Sequence, residues 1–316
     1  MSEAPWLSVL MPIHEGEAHL PATLDSIVAE RPDGIELIAL DSSPHQRCAA
    51  IVDRYADRVH VRYHHMPECG PWTAKTNRAA AMARAPHLSM LHQDDLWRPG
   101  RVADLRQAIA ANPDAALLLN ASHIVDDRGQ SLGLWRCPLA PGRALGWGEV
   151  ADRLLVQNFI AIPAPVIRRA DWLAVGGMDE ALWYTADWDL YLKLARRGPV
   201  AYRNAATTAF RIHGGSQTVA GSANGDDFAD QMTRVIDRHA GFVPAPLRQG
   251  ARRRAATSTR INCALAATLA GRPGALPGAI GSLVALGPRG AWRYLTDSRI
   301  LERSLPRLRA RFAGSF

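Results

Sequence analysis

Leu88-Ser89-Met90-Leu91-His92-Gln93-Asp94-Asp95 is an apolar run that ends abruptly on two carboxylates. It reads as a buried strand opening onto a charged edge. An unpaired buried charge is costly, so acids rarely sit at the mouth of such a strand for packing alone. A hard divalent ion such as Mg²⁺ or Mn²⁺ takes oxygen ligands and is commonly shared between one or two carboxylates and a substrate diphosphate. Asp94 and Asp95 are therefore candidate metal ligands. A surface turn leading into Pro99-Gly100 is the other reading of the same residues.

Working back from this strand, residues 73–84 suit a helix behind a Gly70-Pro71 loop, and residues 59–63 a strand. Residues 46–56 suit a helix, 35–40 a strand ending at Asp41, 18–29 a helix, and 7–12 a short buried strand followed by a turn at His14. Strands alternating with helices through short turns imply a mostly parallel sheet covered on both faces. Ligands of such sheets bind at the carboxyl ends of the strands. His14, Asp41 and Asp94 all fall just past strand ends, so one edge would hold them together.

Forward of the strand, residues 101–111 read as a helix and 115–122 as a strand. The stretch 133–150, rich in Gly, Pro and Trp, reads as a long loop of the kind that covers substrates. Residues 162–167 form a strand whose prolines favour an edge. Residues 187–197 form an amphipathic helix stopped by Gly198, with Asp187 at its N-terminus, where the helix dipole favours a negative charge. From residue 240 the chain reads as helical, broken at Pro273, Pro277 and Pro288. This tail carries 13 arginines, no lysine and two acids, a net charge of +11. The whole chain is +7, which leaves −4 on residues 1–239. The basic character belongs to the tail alone, which suits an anionic membrane surface better than a nucleic-acid site. A solvated helical appendage, or a tail packed on the rest of the chain, is the competing reading. Its apolar piece 274–287 is too short and too rich in Gly and Pro to span a bilayer. The four cysteines have no CxxC spacing, which argues against a zinc site or disulfide framework and suits a reducing cytoplasm. The first strand begins at once, leaving no room for a signal peptide.

The ordered motifs resemble glycosyltransferase family 2, inverting enzymes of the GT-A fold that use nucleotide sugars. The resemblance runs from residue 7 to residue 215. It implies an α/β fold, a GT-A type, mostly parallel Rossmann-like sheet flanked by helices, here with a C-terminal helical extension. Residues 1–112 would be the donor-binding half, 113–239 the acceptor half of the same domain, and 240–316 the extension. The turn Pro12-Ile13-His14-Glu15 matches the segment that contacts the nucleotide base, with His14 where an aromatic ring is usual. Asp41 matches the acid that accepts from the base; an Asx-turn cap is its structural alternative. Gly70 through Asn77 resembles the family's Gly-x-x-x-Ala-Arg-Asn segment, with Thr76 at the usual arginine and Lys75 beside it as a diphosphate contact. In His92-Gln93-Asp94-Asp95, Asp94 falls on the usual metal ligand, Asp95 beside it, and His92 replaces the first acid. Gly176-Gly177-Met178-Asp179-Glu180 and then Ala186-Asp187 resemble the acceptor motif, with Asp187 at the expected general base and Ala186 in place of a glutamate. Arg211-Ile212-His213 matches a late segment whose histidine completes the metal shell.

The reading that follows is an inverting glycosyltransferase dependent on Mn²⁺ or Mg²⁺. It would take a UDP or dTDP sugar to a glycan or lipid-linked acceptor in polysaccharide or cell-envelope synthesis. It would work in the cytoplasm or on the inner membrane face, with no nucleic-acid partner. A sugar-1-phosphate nucleotidyltransferase should show an N-terminal Gly-rich loop, and a dinucleotide oxidoreductase needs GxGxxG; neither is present. A non-catalytic nucleotide-sugar-binding protein is the different-class rival, kept open by His92 and Ala186.

Overall fold

Seven consecutive buried residues make β1 (Leu7–Ile13), and seven more make β2 (Ile35–Asp41). Leu7, Val9, Met11 and Ile13 face one hydrophobic cluster while Leu10 faces the other. The period of two thus explains why the run is apolar throughout: both faces are covered. The structure, a computed structural model, describes residues 4–214, 225–269 and 271–312. β3 (His60–His65) and β4 (His87–Met90) complete a parallel run ordered β3-β2-β1-β4. The helices expected between these strands form as α1 (Leu20–Ala29), α2 (Arg47–Asp53) and α3 (Trp72–Met82), and α4 (Arg101–Ala111) follows the two-residue β5 (Leu96–Trp97).

Beyond β4 the sheet continues through β9 (Val166–Arg168), β6 (Leu117–Val125) and β10 (Val200–Arg211) to β5. β9 lies antiparallel between β4 and β6, so the edge position expected for it is wrong. Its prolines, Pro163 and Pro165, precede the strand, and the missing amide donors fall outside the ladder. The stretch 133–150 is not a long loop either. It holds the end of β7 (Ser131–Trp135), β8 (Ala144–Leu145) and the start of α5 (Trp147–Leu154). Its bulky apolar side chains, Trp135, Leu139, Leu145 and Val150, are buried. α6 (Arg169–Ala174) and α7 (Ala186–Arg197) lie between β9 and β10 in the chain.

α8 (Gly225–Ala240) leads into the extension, which is helical: α9 (Ala245–Leu269), α10 (Leu276–Val284), α11 (Gly287–Ser298) and α12 (Ile300–Phe312). Pro277 and Pro288 stand in first turns, where a missing amide costs nothing. The extension packs on the domain. α9 lies on α5, α12 lies on β7, and Val156 shares a small core with Tyr294 and Ile300. Arg254 and Arg293 both pair with the buried Asp152. Among the described residues no helix is long and apolar enough to cross a membrane.

Candidate active site

The carboxyl ends of β1, β2 and β4 converge, and short polar contacts stitch them. His14 N donates to Gln93 Oε1 at 2.7 Å, and Gln93 Nε2 donates to His14 O at 2.9 Å. Gln93 thus pairs with the His14 backbone like a strand neighbour. Lys75 is buried on α3, and its ammonium donates to Ile13 O and to Ser42 Oγ. Burial pushes Lys75 down to about 8, against the pull of Asp41. Asp41 is fully buried. Its Oδ1 accepts from the Ser43 amide and hydroxyl, and its Oδ2 from the Tyr63 hydroxyl at 2.6 Å. These bonds make Asp41 an Asx-turn cap that shapes the β2 loop. Pro12 and Ile13 lie inside β1 with buried side chains, so in this turn only His14 and Glu15 are exposed. The rim at His14 and Glu15 is thus ordered from beneath.

Asp94 and Asp95 follow β4, and β10 clamps their loop. The Arg211 amide donates to Asp95 Oδ1 at 3.0 Å, and its side chain donates to Asp94 O and to the carbonyls of Asp126 and Asp127. Asp94 Oδ2 lies 2.9 Å from His213 Nε2. Asp95 Oδ2 and His92 Nε2 are buried and have no hydrogen-bond partner. Ligand atoms of His92, Asp94 and Asp95 all fall within 4.8 Å of one another. Burial, reinforced by the charge on Asp94, holds Asp95 well above the usual carboxylate range. Burial also raises Asp94, but the hydrogen bond from His213 and the nearby His92 outweigh it and leave Asp94 low. A buried carboxylate oxygen with no partner beside a second acid and imidazole nitrogens fits a divalent cation. His19, which carried no expectation, extends the cluster: its ring centroid is 4.8 Å from that of His213, and its Nε2 is 3.2 Å from Asp127 Oδ1.

Asp187 sits in the first turn of α7, one residue inside the helix whose N-cap is Thr185. Its Oδ1 accepts from the Trp188 amide and its Oδ2 from Asn158 Nδ2, both at 2.8 Å. Burial pushes Asp187 up to about 6, against these two hydrogen bonds. That is the range for a base at neutral pH. Asn77 holds the segment 176–180: it brackets Met178 through both backbone groups and reaches Glu180. Gly177 permits this approach. Its φ is +69°, and a Cβ there would come within 2.5 Å of Asn77 Oδ1.

Two kinds of comparison bear on this arrangement. The sequence profile described as Glycosyl transferase family 2 matches residues 8–153. The match takes in just under half of the chain, and over that stretch the chain is similar to this family. An uncharacterized glycosyltransferase of Rickettsia typhi is 20% identical over 219 residues, 68% of this chain and 66% of that protein. Other curated glycosyltransferases are spanned over only 34% of their length. The fold matches S. aureus TarS 1–349, solved with UDP-GlcNAc, at a TM-score of 0.65 and 13% identity over 98% of this chain and 92% of that one. It also matches the Pyrobaculum calidifontis mannosyltransferase PcManGT, solved with GDP-Man and Mn²⁺, at 0.56 and 16% identity over 95% and 87%. The fold is therefore of the GT-A type, and its catalytic domain is that of a glycosyltransferase.

The extension braces the segment behind Asp187. Asn158 O accepts from Arg303 Nη1 of α12, and Gln157 Oε1 accepts from Ser258 and Asn262 of α9. Asp189, two residues past Asp187, is fully buried; it pairs with Lys193 of its own helix and ties α7 to α8 through Arg238 and His239. Removing one member strands the other charges, so Asp189→Ala is expected to cost about 3–5 kcal/mol in a denaturant titration. Burial would raise the Asp189 carboxyl, but His239 and Lys193 hold it well below the usual range. Its stabilisation is therefore present above the ordinary aspartate range and is lost only as pH falls into strong acid.

Proposed function

We propose that this glycosyltransferase moves a sugar from a nucleoside diphosphate sugar, UDP or dTDP, to a hydroxyl of a glycan or lipid-linked glycan, inverting the anomeric centre, in polysaccharide or cell-envelope synthesis. The observation that carries the reading is the unpartnered Asp95 Oδ2 beside Asp94 and His213 on the same strand-end edge as His14. Asp94, Asp95 and His213 would hold Mn²⁺ or Mg²⁺, with His92 adjoining. A cation there supplies neutralisation of the charge that develops on the departing nucleoside diphosphate. The exposed imidazole of His14 stacks on the base, and Lys75 and Gln93 keep its turn rigid. Asp187 accepts the proton of the acceptor hydroxyl as the oxygen attacks the anomeric carbon from the face opposite the leaving group. One displacement forms the new glycosidic bond, breaks the bond to the diphosphate and leaves no covalent enzyme intermediate.

A thermal-shift panel of UDP, dTDP and GDP sugars with Mn²⁺ or EDTA tests the donor half, since a bound ligand raises apparent stability. Shifts that need both a uridine or thymidine donor and Mn²⁺ are expected. Equal shifts in EDTA sink the metal assignment. Donor hydrolysis or transfer then separates an enzyme from a non-catalytic binder, and release of pyrophosphate would instead mark a nucleotidyltransferase.

A further inference from the structure

Residues 273–288 contain no charged side chain and lie between Arg272 and Arg289. They contain the whole of α10, yet only Ala279 of that helix is buried. Ile280 and Val284, one turn apart on the same face, are 60% and 71% exposed, and Trp292 on the adjoining α11 is 72% exposed. A soluble surface seldom leaves a tryptophan and two β-branched side chains so open within one pair of helices. The surroundings are cationic. Arg253 and Arg260, both exposed, reach Ala285 O and Ser282 Oγ of the same segment, and Arg289 is exposed at its far end. The two acids of residues 240–316, Asp297 and Glu302, are already in ion pairs with arginines.

We propose that the outer face of α10 and α11, with Ile280, Val284 and Trp292 as its apolar contacts and Arg253, Arg260 and Arg289 around them, docks on an anionic lipid bilayer. The charge selects among occupants. A second copy presenting the same face would set like charges against each other. A nucleic acid would have no use for an uncharged apolar centre. An anionic bilayer supplies headgroup phosphates for the arginines and an acyl boundary for the apolar side chains, with tryptophan at the depth it favours. The extension's buried arginines, Arg254 and Arg303, belong to the internal bracing and take no part. This surface stands apart from the donor chemistry, so its test needs no turnover.

Full-length protein is sedimented with phosphatidylcholine vesicles and with vesicles containing phosphatidylglycerol. Binding is expected only to the second, weakening as salt rises. The double change Ile280→Asp, Val284→Asp should lower binding about tenfold with unchanged thermal unfolding, because both side chains are exposed. Trp292→Phe should remove a blue shift in fluorescence that accompanies vesicle addition. Absence of binding, binding equal on neutral vesicles, or binding unaltered in the double variant overturns the proposal. So does a concentration-dependent dimer that the double variant abolishes and vesicles do not compete with.

Discussion

Asp187→Asn is expected to keep donor binding and to lower sugar transfer by at least about a hundredfold, the lower range for loss of a general base. The substitution leaves an oxygen to accept from Asn158 but nothing that can take the acceptor's proton. In the parent protein, transfer should fall as pH drops below about 6, where Asp187 becomes protonated. The linkage has a further sign. An acid whose pKa is raised on folding ionises first in the unfolded chain, so stability declines as pH rises from the ordinary aspartate range to that value. The asparagine variant should therefore unfold no more easily than the parent at neutral pH, and a kinetic loss with unaltered unfolding marks a base. If it folds normally and turns over near the parental rate, Asp187 only shapes the start of α7.

The second large effect belongs to the strand-end acids. Asp94→Asn should weaken nucleoside diphosphate binding in Mn²⁺ at least about tenfold, a loss that even indirect support of a metal site reaches. In EDTA the variant and the parent should bind alike, because the carboxylate acts through the cation. Calorimetry of UDP with and without Mn²⁺ measures both arms. If the metal strengthens UDP binding to the variant as much as to the parent, these acids do not hold the ion.

What could be read in the chain beforehand depended on how locally each feature is determined. β1 and β2 were legible because covering both faces demands an unbroken apolar run. The same demand hid β10, whose Arg203-Asn204-Ala205-Ala206-Thr207-Thr208 carries two register shifts and little hydrophobic signal. Trp and Gly in 133–150 suggested a loop because composition does not report that Trp135 and Leu145 find partners across the sheet. Among site residues, those held by neighbours in sequence were visible, as with the Asp41 turn. Asn158 was not: its partners Asp187 and Arg303 lie 29 and 145 positions away, and an asparagine in a polar stretch carries no periodic mark. Arg211 stood out only as part of an Arg-x-His segment, while its grip on the Asp94 loop comes from long-range packing of β10.

The brace on Asn158 also bears on how the protein is made. Synthesis runs from the N-terminus, and β1 to β4 with their helices leave the ribosome long before Arg303. A nascent chain ending near residue 240 already has the donor edge, yet lacks the contacts of Ser258, Asn262 and Arg303 that fix the segment behind Asp187. On the proposed roles, nucleotide capture would mature before transfer does, because the segment behind Asp187 gains these contacts only when α9 and α12 dock.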